Sequence, residues 1–279
     1  MGVLDRAAQH QANGDTFALA TVVRTLSVTA AKAGAKALIA PDGAIEEGWV
    51  GGGCARAAVL KAARQSMIDG KPRLVSITPK ELLEDLGVAP GEESGGVLYA
   101  KNSCPSQGTM DIFIEPVLPA PKLLILGASP VAVALARLAP SMGFAVTVAA
   151  LSQDFGKFDS APARVEGFAA PADFGAQGYV VVSTQGAGDR AALKVAASMP
   201  ARYRSFVGSR KKAATLRAEL AADGAPVDVL AAIKAPAGLD LHAISTEEIA
   251  LSILAEIVAA RRGSQIADSA AAKGADTHG

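Results

Sequence analysis

The chain of 279 residues is poor in the residue types that build metal clusters and disulfide frameworks. It has two cysteines, Cys54 and Cys104, and three histidines, two of which lie near the termini. A structural zinc site needs four ligands, so these residues predict neither such a site nor a His-rich metal centre. A permanent disulfide is also not expected, because the chain reads as a cytoplasmic protein.

Long apolar runs and an excess of one charge are absent too. Lys plus Arg and Asp plus Glu number 27 each, which gives no electrostatic reason to expect nucleic acid or an anionic membrane as a partner. The longest apolar run, IALSILAEIVAA, contains Glu256 and is shorter than the roughly 18 residues of a membrane span. The first fifteen residues lack the apolar core of a signal peptide. We therefore predict a cytoplasmic protein without a membrane span.

The first part of the chain, residues 1–118, reads as short strands with turns between them. Strands are predicted at Phe17–Thr25 and Ala35–Ala40, and a helix from about Ala55 to Ile68 that ends near Gly70. Together they indicate a small α+β domain with a mostly antiparallel sheet. Two prolines in Pro119–Lys122 mark the predicted linker to a second domain.

Residues 122–263 change to an alternation of buried strands and helices. This alternation predicts a Rossmann-like, doubly wound parallel sheet. Ser245 and Glu248 have the spacing of a capping box at the start of the last helix. Residues 264–279 are rich in small residues and poor in apolar ones, and we predict a disordered tail there.

Three glycines, Gly51, Gly52 and Gly53, precede Cys54 at the predicted start of a helix. Glycines allow the backbone to approach a ligand, and the positive end of a helix dipole lowers the pKa expected for a thiol. This pattern favours a functional Cys54. A small cysteine packed in an alanine-rich helix is the alternative.

The second cysteine lies in the loop CPSQG, from Cys104 to Gly108. Ser103, Ser106 and Gln107 supply hydrogen-bond donors around it. A soft sulfur ligand among donors suits a metal that carries an oxo or phosphate group. A purely structural Cys104 stays open as the alternative.

The sequence LLILGASPVA resembles the first turn of a dinucleotide-binding fold. Gly127 suits the tight turn, while Ser129 and Ala132 occupy the second and third glycine positions. A helix start of this kind can bind an anion, although a purely structural turn is the rival. The next strand ends without the Asp or Glu that holds a ribose, so NAD(P) binding is not expected.

Two further segments follow predicted strands of the second domain. Ser183 and Gly186 lie where the carboxyl end of a parallel strand meets ligands in open sheets, and Asp189 is a candidate cap of the next helix. Ser209 and Arg210 begin a helix that carries three cations in a row. That helix start predicts either an anion site or a solvated basic face.

Taken together, these motifs resemble the XdhC/CoxI family, the xanthine dehydrogenase accessory proteins. The resemblance covers most of the chain and is carried by ordered segments, among them VGGGCARAAV, CPSQGTMDIFIEP, LLILGASPVAVALA and VVVSTQGAGDRAAL. It implies a maturation factor that binds the molybdenum cofactor, supports its sulfuration and helps its insertion into a molybdenum hydroxylase of the xanthine or carbon monoxide dehydrogenase type. An accessory chaperone is favoured over an enzyme with its own turnover. The alternatives are an NAD(P)-dependent oxidoreductase and a non-catalytic scaffold that docks a dehydrogenase and a cysteine desulfurase.

The resemblance also implies ligands, partners and sites. The cofactor is molybdopterin or its cytidine dinucleotide form, and the partners are an apo molybdenum hydroxylase, a cysteine desulfurase and a second copy of the chain. No catalytic residue is predicted, and Cys54 and Cys104 are the candidate molybdenum contacts. The cofactor-binding residues expected from motifs and resemblance are Gly51, Gly52, Gly53, Cys54, Cys104, Gln107, Gly108, Gly127, Ser129, Ser183, Gly186, Ser209 and Arg210.

Overall fold

The computed structural model describes residues 2–103, 107–159 and 163–275. They form two compact units, and the boundary between these units lies between Pro119 and Ala120. The second unit ends at Ser264. Each unit has its own sheet and its own apolar core.

The first unit is built on a mixed seven-stranded sheet. Its elements are α1 (Val3–Asn13), β1 (Phe17–Leu26), β2 (Lys36–Ile39), β3 (Ile45–Gly48), α2 (Gly53–Asp69), β4 (Arg73–Pro79), α3 (Lys80–Leu86), β5 (Glu93–Ser94), β6 (Val97–Asn102) and β7 (Thr109–Val117). The strand order is β3-β2-β1-β7-β4-β6-β5. Neighbouring strands are antiparallel except β4 and β6, so the sheet is mostly antiparallel, as the sequence predicts.

Helix α2 covers the centre of this sheet and contacts β1, β4 and β7. Its inward positions are mostly small, with Val59, Ala62, Ala63 and Met67 buried in the core. Small side chains let the helix approach the strands closely. The helix ends at Gly70, whose φ of 69° is the left-handed conformation that favours glycine after a helix.

The second unit is a parallel sheet with helices on both faces. Its elements are β8 (Lys122–Leu126), α4 (Pro130–Leu138), β9 (Ala145–Ala150), β10 (Ala163–Glu166), β11 (Tyr179–Val182), α5 (Asp189–Ser198), β12 (Tyr203–Phe206), α6 (Arg210–Ala222), α7 (Val227–Ala232) and α8 (Thr246–Ala275), of which the residues up to Ser264 belong to this unit. The strand order is β10-β9-β8-β11-β12, and every neighbouring pair is parallel. The chain leaves β8 toward β9 and later crosses to β11, which confirms the Rossmann-like, doubly wound prediction.

Strand β8 shows why both faces of the sheet are covered. Leu123 and Ile125 point into one apolar cluster, and Leu124 and Leu126 point into the other. All four side chains are fully buried. A strand without polar alternation needs helices on both sides, and the sequence supplies them.

A buried carboxylate ties the segment after α7 to the rest of the second unit. Glu256 of α8 accepts hydrogen bonds from the Tyr203 hydroxyl at 2.5 Å and from the Gly238 N–H at 2.8 Å, and it forms an ion pair with Lys234. Only 6% of Glu256 is exposed. These donors compensate for the loss of hydration that burial imposes on a carboxylate.

The start of α8 confirms the predicted capping box. Glu248 accepts from the backbone N–H of Ser245 at 2.9 Å, and the Ser245 hydroxyl accepts from the N–H of Glu248 at 3.3 Å. The helix then continues to Ala275, whereas the sequence favoured a disordered tail from residue 264. Alanine has the highest helix propensity of all residues, and the many alanines in this stretch account for the extension.

Candidate functional site

Three connections of the first unit meet around a cleft of about 300 Å³. They are the segment after β1, the start of α2 and the connection from β6 to β7. The lining residues are Thr29, Ala30, Gly52, Gly53, Ala55, Ile77, Asn102, Ser103, Gly108 and Met110. Both sequence motifs that contain a cysteine therefore contribute residues to one cleft.

The start of α2 gives the cleft its polar end. Gly52 is the N-cap and has no side chain that could accept from the first N–H groups of the helix. Gly53 has a φ of 48°, and a Cβ placed there would find no atom within 4 Å, so the backbone faces open space. A helix of 17 residues that begins in this way offers N–H groups and a positive dipole end to an anion.

The described ends of the connection from β6 to β7, Asn102–Ser103 and Gln107–Gly108, are held by hydrogen bonds and close contacts. The Asn102 amide donates to the carbonyl of Gly108 at 2.6 Å, and Gln107 forms a parallel bridge with Val28. A Cβ on Gly108 would lie 2.3 Å from the carbonyl oxygen of Val28, so only glycine fits. Gln107 and Gly108 therefore lie directly against the segment after β1.

The lining of the cleft has no ionisable side chain among the described residues. Charged and polar groups lie on the other face of the same strands, because Asp111 and Ser76 alternate with the lining residues Met110 and Ile77. Asp111 accepts from the Ser76 hydroxyl at 2.7 Å and from Arg24 at 2.6 Å. Among the described lining residues, the polar groups are thus those of the backbone and the side chains of Thr29, Asn102 and Ser103.

The two cysteines flank this cleft in the chain. Cys54 is the second residue of α2, and its side chain lies outside the described part of the structure. Cys104 lies outside the described residues altogether, between the lining residues Ser103 and Gly108. Of the other residues predicted here, Gly51 adjoins the cleft with a φ of 117°, and Gln107 is exposed.

Three predicted residues of the second unit meet at its Rossmann-type turn. The Ser129 hydroxyl lies 2.6 Å from that of Ser183, and the Ser129 N–H donates to the Ser183 carbonyl at 3.2 Å. A Cβ on Gly127 would lie 2.4 Å from that same carbonyl oxygen. Ser129 also caps α4 by accepting from the Ala132 N–H at 3.1 Å.

Asp189 organises the neighbouring loop after β11. It is the first residue of α5, and its buried carboxylate accepts from the N–H of Gly186 at 3.1 Å and from the Thr184 hydroxyl. Lys212 of α6 completes the group as an ion-pair partner. Burial raises the pKa of Asp189, but the Lys212, Thr184 and Gly186 donors together outweigh it and hold the pKa below its ordinary value.

The start of α6 reaches the same edge of the sheet through Lys212. Ser209 is the N-cap, and its hydroxyl accepts from the N–H of Lys212 at 3.2 Å. Arg210 follows as the first residue of the helix and is exposed. The predicted residues Gly186 and Ser209 are therefore hydrogen-bonded to Asp189 and Lys212, whereas Arg210 is exposed at the start of the same helix.

Sequence reasoning missed several residues that build these sites. Thr29 and Ala30 line the cleft of the first unit, and Asn102 fixes its loop, yet no motif marks them. Thr184 belongs to the group around Asp189 and is buried. Its position directly after the apolar run of β11 was the signal in the sequence that could have pointed to it.

Metal and membrane features are absent from the part of the chain that the structure describes. No three His, Cys, Asp or Glu residues in it are grouped so that they could hold a metal ion. Its helices include none with the length and apolar character needed to cross a bilayer.

Models of known protein families match residues in both units of the chain. Residues 10–78 match the XdhC and CoxI family, and residues 123–257 match the XdhC Rossmann domain. The chain is 27% identical over 266 residues to the Escherichia coli K12 protein described as "Uncharacterized protein YqeB". This match covers 92% of the chain and 46% of YqeB, so the chain spans about half the length of that relative.

A solved structure also aligns with the chain along most of its length. It is described as the crystal structure of a xanthine dehydrogenase (BH1974) from Bacillus halodurans. The identity is 19%, the TM-score is 0.44, and the alignment covers 94% of this chain and 96% of that one.

Proposed function

The chain belongs to the XdhC/CoxI family, and from this membership we propose a maturation factor that binds the molybdenum cofactor in the cleft of its first unit. Membership implies a role in the maturation of xanthine dehydrogenase. The observation that carries the binding proposal is the convergence of the Gly52–Gly53 turn and the Asn102–Gly108 loop on one cleft. Client dehydrogenases of the xanthine or carbon monoxide type are the proposed recipients.

The chemistry of the lining suits such a ligand. The cofactor combines a phosphate group with an amide-rich pterin ring and a soft metal centre. Free N–H groups at the start of α2 suit the phosphate, and the amide of Asn102 and the hydroxyl of Ser103 border the space for the ring. A cleft of about 300 Å³ lies at the lower end of the range of ligand pockets, which fits a ligand that is partly exposed for transfer.

The chain's own groups have three roles in this proposal. The N–H groups at Gly53 and the following residues bind and orient the anionic end, and apolar Ile77 and Met110 exclude water from one wall. Cys54 and Cys104 supply thiols as candidate metal contacts. The bound cofactor supplies the molybdenum centre that the client enzyme uses. Sulfuration support, contact with a cysteine desulfurase, self-association and a cytoplasmic location belong to the same proposal.

Filling the cleft tests where the cofactor binds. Ala30 lines the cleft, whereas Ala33 is exposed in the same connection and does not line it. We expect Ala30→Trp to abolish copurification of molybdenum and pterin under anaerobic conditions and Ala33→Trp to leave it unchanged. Metal and pterin per protomer are measured together with the melting temperature. Full retention by a folded Ala30→Trp protein contradicts the proposed site.

Serine substitutions test the part played by the thiols. Cys54→Ser and Cys104→Ser are expected to lower the cofactor retained per protomer without changing the melting transition. Serine keeps the size of the side chain and removes the soft sulfur. If both variants keep their full cofactor content, the thiols have no part in binding. If either variant loses its melting transition, that cysteine is a core residue.

A further inference from the structure

The Rossmann-type turn of the second unit does not fit the pyrophosphate of a dinucleotide. In such folds the turn after the first strand leaves N–H groups free for the phosphates, and the second glycine lets the backbone approach them. Here the turn runs from Gly127 to Pro130 and leads into α4. Its N–H groups can be followed one by one.

The chain itself uses most of these donors. The N–H of Gly127 donates to the carbonyl of Ala149 at 2.9 Å, and that of Ser129 donates to the carbonyl of Ser183 at 3.2 Å. Pro130 has no N–H, and the Ala132 N–H donates to the Ser129 hydroxyl at 3.1 Å. This leaves the N–H groups of Ala128 and Val131 without an acceptor among the described residues. Both donors flank Ser129, whose side chain stands where a glycine would let the pyrophosphate approach them.

The space beside the turn is also occupied. The hydroxyls of Ser129 and Ser183 lie 2.6 Å apart, and 8% and 1% of these residues are exposed. The hydrogen bond joins the ends of β8 and β11, at the point where the strand order reverses. That point is where open parallel sheets bind their ligands. The crevice is therefore closed by two side chains of the chain itself.

The residues after β9, where such folds hold the ribose, also argue against a dinucleotide site. Strand β9 ends at Ala150 and is followed by Leu151 and Ser152, so β9 itself supplies no carboxylate to hold a ribose. Ser152 instead donates to Glu166 of β10. Both recognition elements of the fold, for phosphate and for ribose, are thus replaced by contacts within the unit.

We infer that Ser129 and Ser183 close the dinucleotide position of the second unit, so that this Rossmann-type domain carries no nucleotide at its turn. Ser129 is the residue that determines this specificity, because it uses both its N–H and its hydroxyl within the chain. The inference is independent of ligand binding by the first unit.

Titration of the full chain with ADP-ribose tests the inference, because this probe contains the pyrophosphate and both riboses. We expect no saturable binding below about 1 mM, a dissociation constant that corresponds to about −4.1 kcal/mol. Ser129→Asp is the diagnostic variant. Aspartate is as good an N-cap as serine, so the helix remains capped, while its charge repels a phosphate.

Each outcome decides the question. Absence of binding supports the inference, and so does binding that Ser129→Asp leaves unchanged, because such a ligand lies away from the turn. A dissociation constant below about 1 mM that Ser129→Asp raises tenfold or more overturns it. The melting temperature of Ser129→Asp is recorded alongside to show that the variant is folded.

Discussion

At the scale of single residues, Gly127 is restricted both by its backbone conformation and by the backbone of a neighbouring strand end. Its φ is 117°, and an added Cβ would lie 2.4 Å from the carbonyl oxygen of Ser183. Gly143 has a φ of 77° but nothing within 4 Å of its Cβ position. Alanine substitutions at these two glycines therefore distinguish the cost of a steric clash from the cost of the backbone conformation.

Gly127→Ala should lower the free energy of unfolding by about 3 kcal/mol, because backbone strain and a clash with the Ser183 carbonyl add up. Gly143→Ala should cost about 1 kcal/mol, which is the backbone preference alone. Denaturant unfolding of both variants measures the difference. Equal losses would show that the packing of the turn against β11 contributes nothing.

Asp189 makes the stability of the second unit dependent on pH in the acid range. Its folded pKa is lowered, since the donors of Lys212, Thr184 and Gly186 outweigh burial. A lowered pKa means that its stabilising contribution is complete above the unfolded value of about 3.9. This contribution is lost as the pH falls through the folded pKa.

Lys212→Met should move acid unfolding to higher pH, because the loss of the cation raises the folded pKa of Asp189. Lys211→Met is the matched control, since it removes a neighbouring charge on α6 that has no ion pair among the described residues. Circular dichroism against pH measures both midpoints. A shift of the same size in the two variants would attribute the effect to net charge.

At the scale of secondary-structure elements, the start of α2 determines what the cleft can bind. Gly52 has φ −102° and ψ 177°, which any residue can adopt, and an added Cβ would make an ordinary contact with Trp49 at 3.5 Å. Asp and Asn are both strong N-caps and have the same shape. They differ in one negative charge at the mouth of the cleft.

Gly52→Asp should therefore lower cofactor affinity at least tenfold relative to Gly52→Asn, while both variants keep the stability of the parent chain. Two charges about 4 Å apart near a protein surface interact by about 4 kcal/mol, which makes a tenfold effect a conservative expectation. Cofactor retained after dialysis measures it. Equal retention by the two variants would place the anionic end of the ligand away from α2.

Elements of this chain were predictable where the signal is local. The strand at β1, the helix α2 with its stop at Gly70 and the capping box of Ser245 and Glu248 follow from short patterns. The contacts that form the sites could not be predicted, because they join segments that are distant in the sequence. Ser129 meets Ser183 across 54 positions, and Val28 meets Gln107 through a single bridge. A hydroxyl that caps its own helix looks, in sequence, the same as one that is free for a ligand.

At the scale of the whole molecule, the chain has two units with different chemistry at their sites. The helix start at the cleft of the first unit has no side-chain cap, whereas in the turn of the second unit the N–H groups of Gly127, Ser129 and Ala132 donate within the chain. Binding is thus expected in the first unit. For the second unit we propose a role in contact with the client.

Release of the cofactor should depend on the client enzyme. A cleft that holds its ligand through several backbone donors releases it slowly unless another binding event lowers the affinity. If an apo molybdenum hydroxylase binds this chain, linkage requires that client and cofactor affect each other's affinity by the same factor. We expect a stoichiometric amount of apo-enzyme to raise the cofactor dissociation rate at least fivefold, the low end of typical coupling between sites. The rate is followed with and without apo-enzyme, and mature dehydrogenase serves as the control that cannot accept a cofactor. An unchanged rate, with transfer limited by spontaneous release, would make this protein a passive store of the cofactor.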